Sequence, residues 1–374
     1  MALSRVLFPR CGLPGGAANP FRLAPAALAA ALLAGCGDDI SDAPPTSAIA
    51  GESYSAAVSK PLGLSVEAGV ATPSSLAAVP VLSGKVRYGV PVAALPGVGT
   101  TLSGALPFPA TDAWNRDVLT SATEAASSAL VAAIGGGASL KVGFGLLAGV
   151  PYAVVDRTQP RVAVSVAGDA TPRAWPIPAS MPASADPSAR LSVLDRDAGV
   201  LYELRGASPV AGGGWTAVAA AAWRLDLANA AAADAAGPSG DAGMPVFPGL
   251  VRHDEAASGA IRHALRITVP ALRAAWVAPA RGPVAQTDDA ALPPAGARLR
   301  LKAEVAIPAD ASVEARAILQ ALKTYGAIVV GVGPALTLEG APDPGWDVAR
   351  LAAELARIRG SDFEVVALGA ITTP

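Results

Sequence analysis

Two histidines are present in 374 residues, and both fall in one stretch, Arg252-His253-Asp254-Glu255-Ala256-Ala257-Ser258-Gly259-Ala260-Ile261-Arg262-His263. An imidazole close to carboxylates is a common means of moving protons at neutral pH. Asp254, Glu255 and His263 are therefore the candidate catalytic groups. A turn at Ser258-Gly259 would bring His263 back against the two acids. Arg252 and Arg262 add forked donors suited to an anionic or hydroxyl-rich ligand. The same residues admit a plainer reading. His263 shares one face of an extended segment with Ile261, Leu265 and Ile267, which would place it in a core and leave Asp254 and Glu255 in solvent.

Other chemistries find less support. No H-E-x-x-H or H-x-H spacing occurs, and no cysteine stands nearby, so no metal is expected. There is no G-x-S-x-G and no phosphate-binding loop, and Gly212-Gly213-Gly214 reads as a loop before Trp215, so no cofactor is expected either. Paired carboxylates can cut glycosides, for which Asp195, Asp197, Asp254 and Glu255 are candidates. Tryptophans 114, 175, 215, 223, 276 and 346 could stack on sugar rings or fill a core. Trp114 and Asp117 join Arg252 and Arg262 as ligand-binding candidates.

Short strands must carry these residues. The chain is 52% hydrophobic and 16% charged, with 39 Gly and 34 Pro. Such a composition excludes global disorder and favours many turns. With 28 basic and 30 acidic residues there is no electrostatic footprint for nucleic acid. Strands are predicted at Gly84–Val92, Tyr152–Asp156, Arg161–Gly168, Arg190–Asp195, Gly199–Arg205, Trp215–Leu227, Ala260–Val269 and Ala297–Ile307. Asp195-Arg196-Asp197-Ala198-Gly199 is a turn cluster, so the fourth and fifth form a hairpin. In Arg298–Val305 the alternation is strict, with Leu299, Leu301, Ala303 and Val305 on one face and the charges on the other. Trp215 and Trp223, evenly spaced, suggest one continuous strand. Helical periods mark Ser312–Tyr325 and Asp347–Ile358, each closed by a glycine. A hairpin of Ala327–Val332 and Ala335–Glu339 lies between them, and Phe363–Leu368 is a final strand. The expected fold is mainly β, a jelly-roll-like sandwich with two C-terminal helices and a small α/β C-terminal part.

The N-terminus carries an address. Arg5, Arg10 and Arg22 precede an uncharged run from Leu23 to Gly35, the layout of a secretory signal peptide. Leu33-Ala34-Gly35-Cys36 resembles the lipobox of bacterial lipoproteins, which implies lipidation of Cys36 and anchoring of the chain to a membrane. An ordinary signal peptide, or a start codon assigned too early, is the alternative. Gly37, not aspartate, follows the cysteine, which by that resemblance points to the outer membrane or cell surface over the inner membrane. Cys11 would leave with the signal, so the mature chain would hold one cysteine and no disulfide. Three arginines and no acid would leave with it, so the mature chain would be more acidic than the full sequence, whose net charge is −2. The acyl chains would then do the anchoring. The organisation read here is a signal peptide over 1–35, a polar tether over 36–60 and a single domain over 61–374.

Several segments taken together resemble a family of secreted bacterial proteins without an assigned reaction. They are Trp114-Asn115-Arg116-Asp117, Gly249-Leu250-Val251-Arg252-His253-Asp254-Glu255, His263-Ala264-Leu265-Arg266, Leu322-Lys323-Thr324-Tyr325-Gly326 and Gly360-Ser361-Asp362-Phe363-Glu364-Val365-Val366. The resemblance implies an extracytoplasmic location and a shared fold, not an activity. It also implies that His253 is dispensable, since tyrosine is usual there, and that Gly331-Val332-Gly333-Pro334 replaces an Asp-Asn-Gly turn. Two functions remain open: a polysaccharide-binding or cell-envelope interaction module, and a glycan-processing enzyme, hydrolase-like or lyase-like, working through its acids and His263.

Overall fold

The structure is a computed structural model, describing residues 86–374 apart from 185, 230–233, 237–240 and 286. The segments read above as signal peptide and tether, Cys36 and residues 61–85 lie outside the described residues. All described residues belong to one compact unit that begins at Ser74.

The fold is mainly β, with two six-stranded sheets at its centre. In the first, the strands run Asp234–Ala236, Ala219–Arg224, Val200–Arg205, Arg190–Asp195, Tyr152–Val155 and Gly97–Val98. The predicted hairpin Arg190–Asp195/Val200–Arg205 is at its middle. Asp195 Oδ1 closes the turn by accepting from the amides of Asp197 (3.1 Å) and Ala198 (2.8 Å), and Gly199 supplies the positive φ that the turn needs. Both faces of this hairpin are buried. Leu194 and Leu201 look into one apolar cluster with Phe247 and Trp223, while Val193 and Leu204 look into another with Trp175 and Trp215. A strand covered on both sides loses the apolar–polar alternation, and in Leu191-Ser192-Val193-Leu194 only Ser192 interrupts the apolar run.

A four-stranded sheet of Ser208–Pro209, Trp215–Ala217, Val162–Val166 and Arg173–Trp175 covers the second of those faces. Trp215 and Trp223 therefore do not share a strand. The chain breaks at Val218 and switches sheets, so the predicted strand Trp215–Leu227 is two strands.

The second six-stranded sheet runs Phe363–Val365, Arg298–Leu301, Ala327–Val332, Leu265–Val269, Thr337–Leu338 and Lys141–Val142. Ala327–Val332 and Thr337–Leu338 are not a hairpin, because Leu265–Val269 lies between them and is parallel to the former. Parallel pairs also occur in the other sheets, so the sheets are mixed in direction, unlike the antiparallel strands of a jelly roll. Helix α1 (Ser127–Ala133), the short α2 (His253–Ala257), α3 (Val313–Thr324) and α4 (Val348–Leu355) complete the fold. Ser312 caps α3 by accepting from the Ala315 amide, and Asp347 caps α4 through the Arg350 amide. Ile318, Leu319 and Leu322 of α3 and Leu351 and Leu355 of α4 enter one core with this second sheet.

Arg298–Leu301 departs from the expected solvent-facing alternation. All four of its residues are buried, the two arginines included. Their guanidinium groups lie over the loop 113–121 and bind its carbonyls. Arg298 reaches Ala113 and Arg116, and Arg300 reaches Val118, Leu119 and Ser121.

Candidate functional site

Helix α2 begins immediately after Arg252, whose extended backbone starts the turn, and ends at Ser258, with Gly259 at φ 84°. The turn predicted at Ser258-Gly259 is thus a helix end, not a hairpin, but it does bring His263 back. His263 Nε2 lies 3.0 Å from Glu255 Oε2, and Arg252 Nη2 donates to the other oxygen, Oε1. His263 Nδ1 is 2.9 Å from the Ala264 carbonyl. Both imidazole nitrogens therefore face acceptor oxygens. His263 and Arg252 are each 1% exposed. Arg252 also packs over the Phe247 ring, 5.0 Å from its centroid.

Burial would raise the carboxyl of Glu255, but the adjacent Arg252 and His263 outweigh it and hold the group below its ordinary value of 4.5. Glu255 is thus held as a carboxylate, with Arg252 on one oxygen and the His263 ring on the other. Held in that form, it makes a poor general acid. Linkage sets the sign of the pH dependence: an acid whose carboxyl is lowered on folding contributes stability above its unfolded value, lost as pH falls through the folded one. Urea unfolding should show Glu255→Gln less stable than the unaltered chain at pH 7, with the gap closing as the pH drops below 4.5. A gap that does not change with pH would contradict this account.

Asp254 turns the other way. Its Oδ2 accepts from Thr101 Oγ1 at 2.7 Å, and its Oδ1 is buried 3.9 Å from Arg252 Nε without a hydrogen bond. Asp254, Glu255, Thr101, Ser258 and Arg262 line a groove of about 240 Å³. His263 is thus buried, Glu255 stays against its ring rather than in solvent, and Asp254 faces the groove.

The remaining candidates scatter. His253 stands apart from His263, edge-on to Trp346 at 4.8 Å and 3.5 Å from Asp343 Oδ1. Its ring lies so close over Gly345 that a Cβ there would fall 2.3 Å from it. Trp114 is 1% exposed, wedged against Gly249, and its carbonyl accepts from the Ala264 amide at 2.7 Å. It cannot stack on a ligand. Asp117 is exposed, but its Oδ1 accepts from the Leu119 amide at 2.6 Å and it does not line the groove. Trp175, Trp215, Trp223 and Trp346 are also buried, and Asp195 is spent on its turn.

Sequence reasoning passed over other buried charges. Glu203 accepts from the amides of Val246 and Phe247, both at 2.8 Å, and from Trp223 Nε1 at 2.9 Å. Glu339 joins Arg266 (2.7 Å) to Arg190 (3.2 Å) and so ties the two large sheets together. The only local trace of such residues is a charge inside an apolar run, as in Leu201-Tyr202-Glu203-Leu204.

No family model matches this chain, and no curated protein or solved structure does. Among the described residues, no helix is long and apolar enough to cross a membrane.

Proposed function

We propose that this chain is a lipid-anchored, extracytoplasmic module of the bacterial cell envelope that binds a polysaccharide and does not turn it over. The carrying observation is the closed Arg252–Glu255–His263 cluster. Its carboxylate is engaged at both oxygens and its imidazole at both nitrogens, and His263 and Arg252 are each 1% exposed, which disfavours proton exchange between the ring and a ligand in the groove. Asp254, Thr101, Ser258 and Arg262 also line the groove and give it polar walls. The lipobox-like Leu33-Ala34-Gly35-Cys36 supports the anchor, and Gly37 supports the outer membrane or cell surface as its site.

Glycan arrays followed by reducing-end assays test the module: binding is expected without release of reducing ends. Release that Glu255→Gln abolishes would favour a glycan-processing enzyme instead. For the anchor, expression in a bacterial host with a fatty-acid probe should label the unaltered chain and leave Cys36→Ser unlabelled. Equal labelling of the two would end the lipid-anchor reading.

A further inference from the structure

The two buried arginines of strand Arg298–Leu301 are alike in position and unlike in charge balance. They stand two residues apart and so share a face. Each spreads its guanidinium over the loop carbonyls described above. Arg300 also meets a carboxylate, its Nε donating to Glu364 Oε1 at 2.8 Å. Arg298 has no carboxylate within ion-pair distance among the described residues. Its hydrogen bonds run from Nη1 to the carbonyls of Arg116 (3.1 Å) and Tyr325 (3.2 Å) and from Nη2 to that of Ala113. They do not use Nε. The Tyr325 carbonyl ends α3, so the helix dipole offsets part of the charge. Asp112, the acid that acts on Arg298, already accepts from the amides of Trp114 (2.9 Å) and Asn229 (2.6 Å).

A second cation stands beside it. Arg116 is exposed, and among the described residues its side chain makes no hydrogen bond or ion pair. Burial first, and then the Arg116 charge, push the Arg298 guanidinium down to about 10, so it remains charged at neutral pH. Both arginines line a groove of about 480 Å³ whose other walls include Ser121, Val277, Pro279 and Leu368. That volume is within the range of roughly 300–1,000 Å³ usual for small-ligand sites. No acid lines it.

We propose that this groove binds a carboxylate-bearing ligand through Arg116 and Arg298. Arg116 offers an unspent fork for a bidentate carboxylate, and Arg298 adds a fixed charge and its Nε. The binding-module reading enters only in naming the source of the carboxylate, an acidic sugar of a polysaccharide.

Calorimetric titration of the full chain with trigalacturonate, sodium acetate and maltotriose tests the site. Trigalacturonate should bind with Kd below about 1 mM, and added salt should weaken it. Arg116→Ala should weaken it about tenfold, with an unchanged circular dichroism spectrum, because that side chain supports nothing else. Arg157→Ala, at a surface ion pair elsewhere, should leave it unchanged. Acetate binding that is lost in Arg116→Ala, with trigalacturonate no tighter, would keep the site and assign it to free carboxylates. Equal affinity of Arg116→Ala and the unaltered chain, or Kd weaker than about 1 mM for both anions, overturns the proposal. Maltotriose binding as well as trigalacturonate, unmoved by Arg116→Ala, would overturn it too while leaving the module intact. A blank glycan array beside Arg116-dependent acetate binding would do the reverse.

Discussion

Replacing Glu255 by alanine is expected to cost about 3–5 kcal/mol of folding stability, the usual penalty for stranding a buried charge. Arg252 would keep only Asp254, whose Oδ1 lies 3.9 Å away, since its Nε and Nη1 already lack hydrogen-bond partners. The imidazole of His263 would lose its Nε2 acceptor at the same time. Urea unfolding at pH 7 measures the loss. The double variant Arg252→Leu, Glu255→Leu should recover part of it, because removing both charges removes the desolvation penalty as well. A single variant within about 1 kcal/mol of the unaltered chain would mean that the pair behaves like an exposed one.

Glu339→Ala is the second large effect, expected at about 3 kcal/mol. Its carboxylate accepts from Arg266, which is completely buried, and from Arg190 of the other sheet. Burial would raise this carboxyl, and the two arginines outweigh it and hold it low. The loss should therefore be present at neutral pH and fade in acid, in the same sense as for Glu255. Because Glu339 spans two sheets, hydrogen exchange should speed up in both Arg190–Asp195 and Leu265–Val269. Faster exchange confined to one of the two segments would show that the bridge does not couple them.

How far the sequence could be read depended on how local the determining physics was. The hairpin at residues 190–205 was legible because turn chemistry at Asp195–Gly199 and its flanking runs lie within sixteen residues. Helix α3 was legible from its period and from Gly326, which closes it. The order of Ala327–Val332, Leu265–Val269 and Thr337–Leu338 was not, because an inserted parallel strand leaves no mark at the place where it inserts. The candidate site divided in the same way. Glu255 and His263 meet across one helix end only eight residues apart, although the turn read there as a hairpin is the end of a helix. Trp114 was misjudged because Gly249, more than a hundred positions away, makes the room that buries it. Arg298 and Arg300 alternated with leucines as surface charges do, and only a loop nearly two hundred positions upstream turns that face inward.

The edge pairing of the second large sheet joins Lys141–Val142 to Thr337–Leu338. Such pairings slow folding more than they weaken the folded state, since loop-closure entropy grows only with the logarithm of the loop. Until its own neighbours Leu265–Val269 and Arg298–Leu301 pair with it, Ala-Ile-Val-Val-Gly-Val at 327–332, uncharged and β-prone, stands unpaired. An unpaired segment of that composition is a template for intermolecular sheets. The hazard in making this protein therefore lies in the time before Leu265–Val269 and Arg298–Leu301 close over that strand, and a chaperone's useful task would be to shield those six residues.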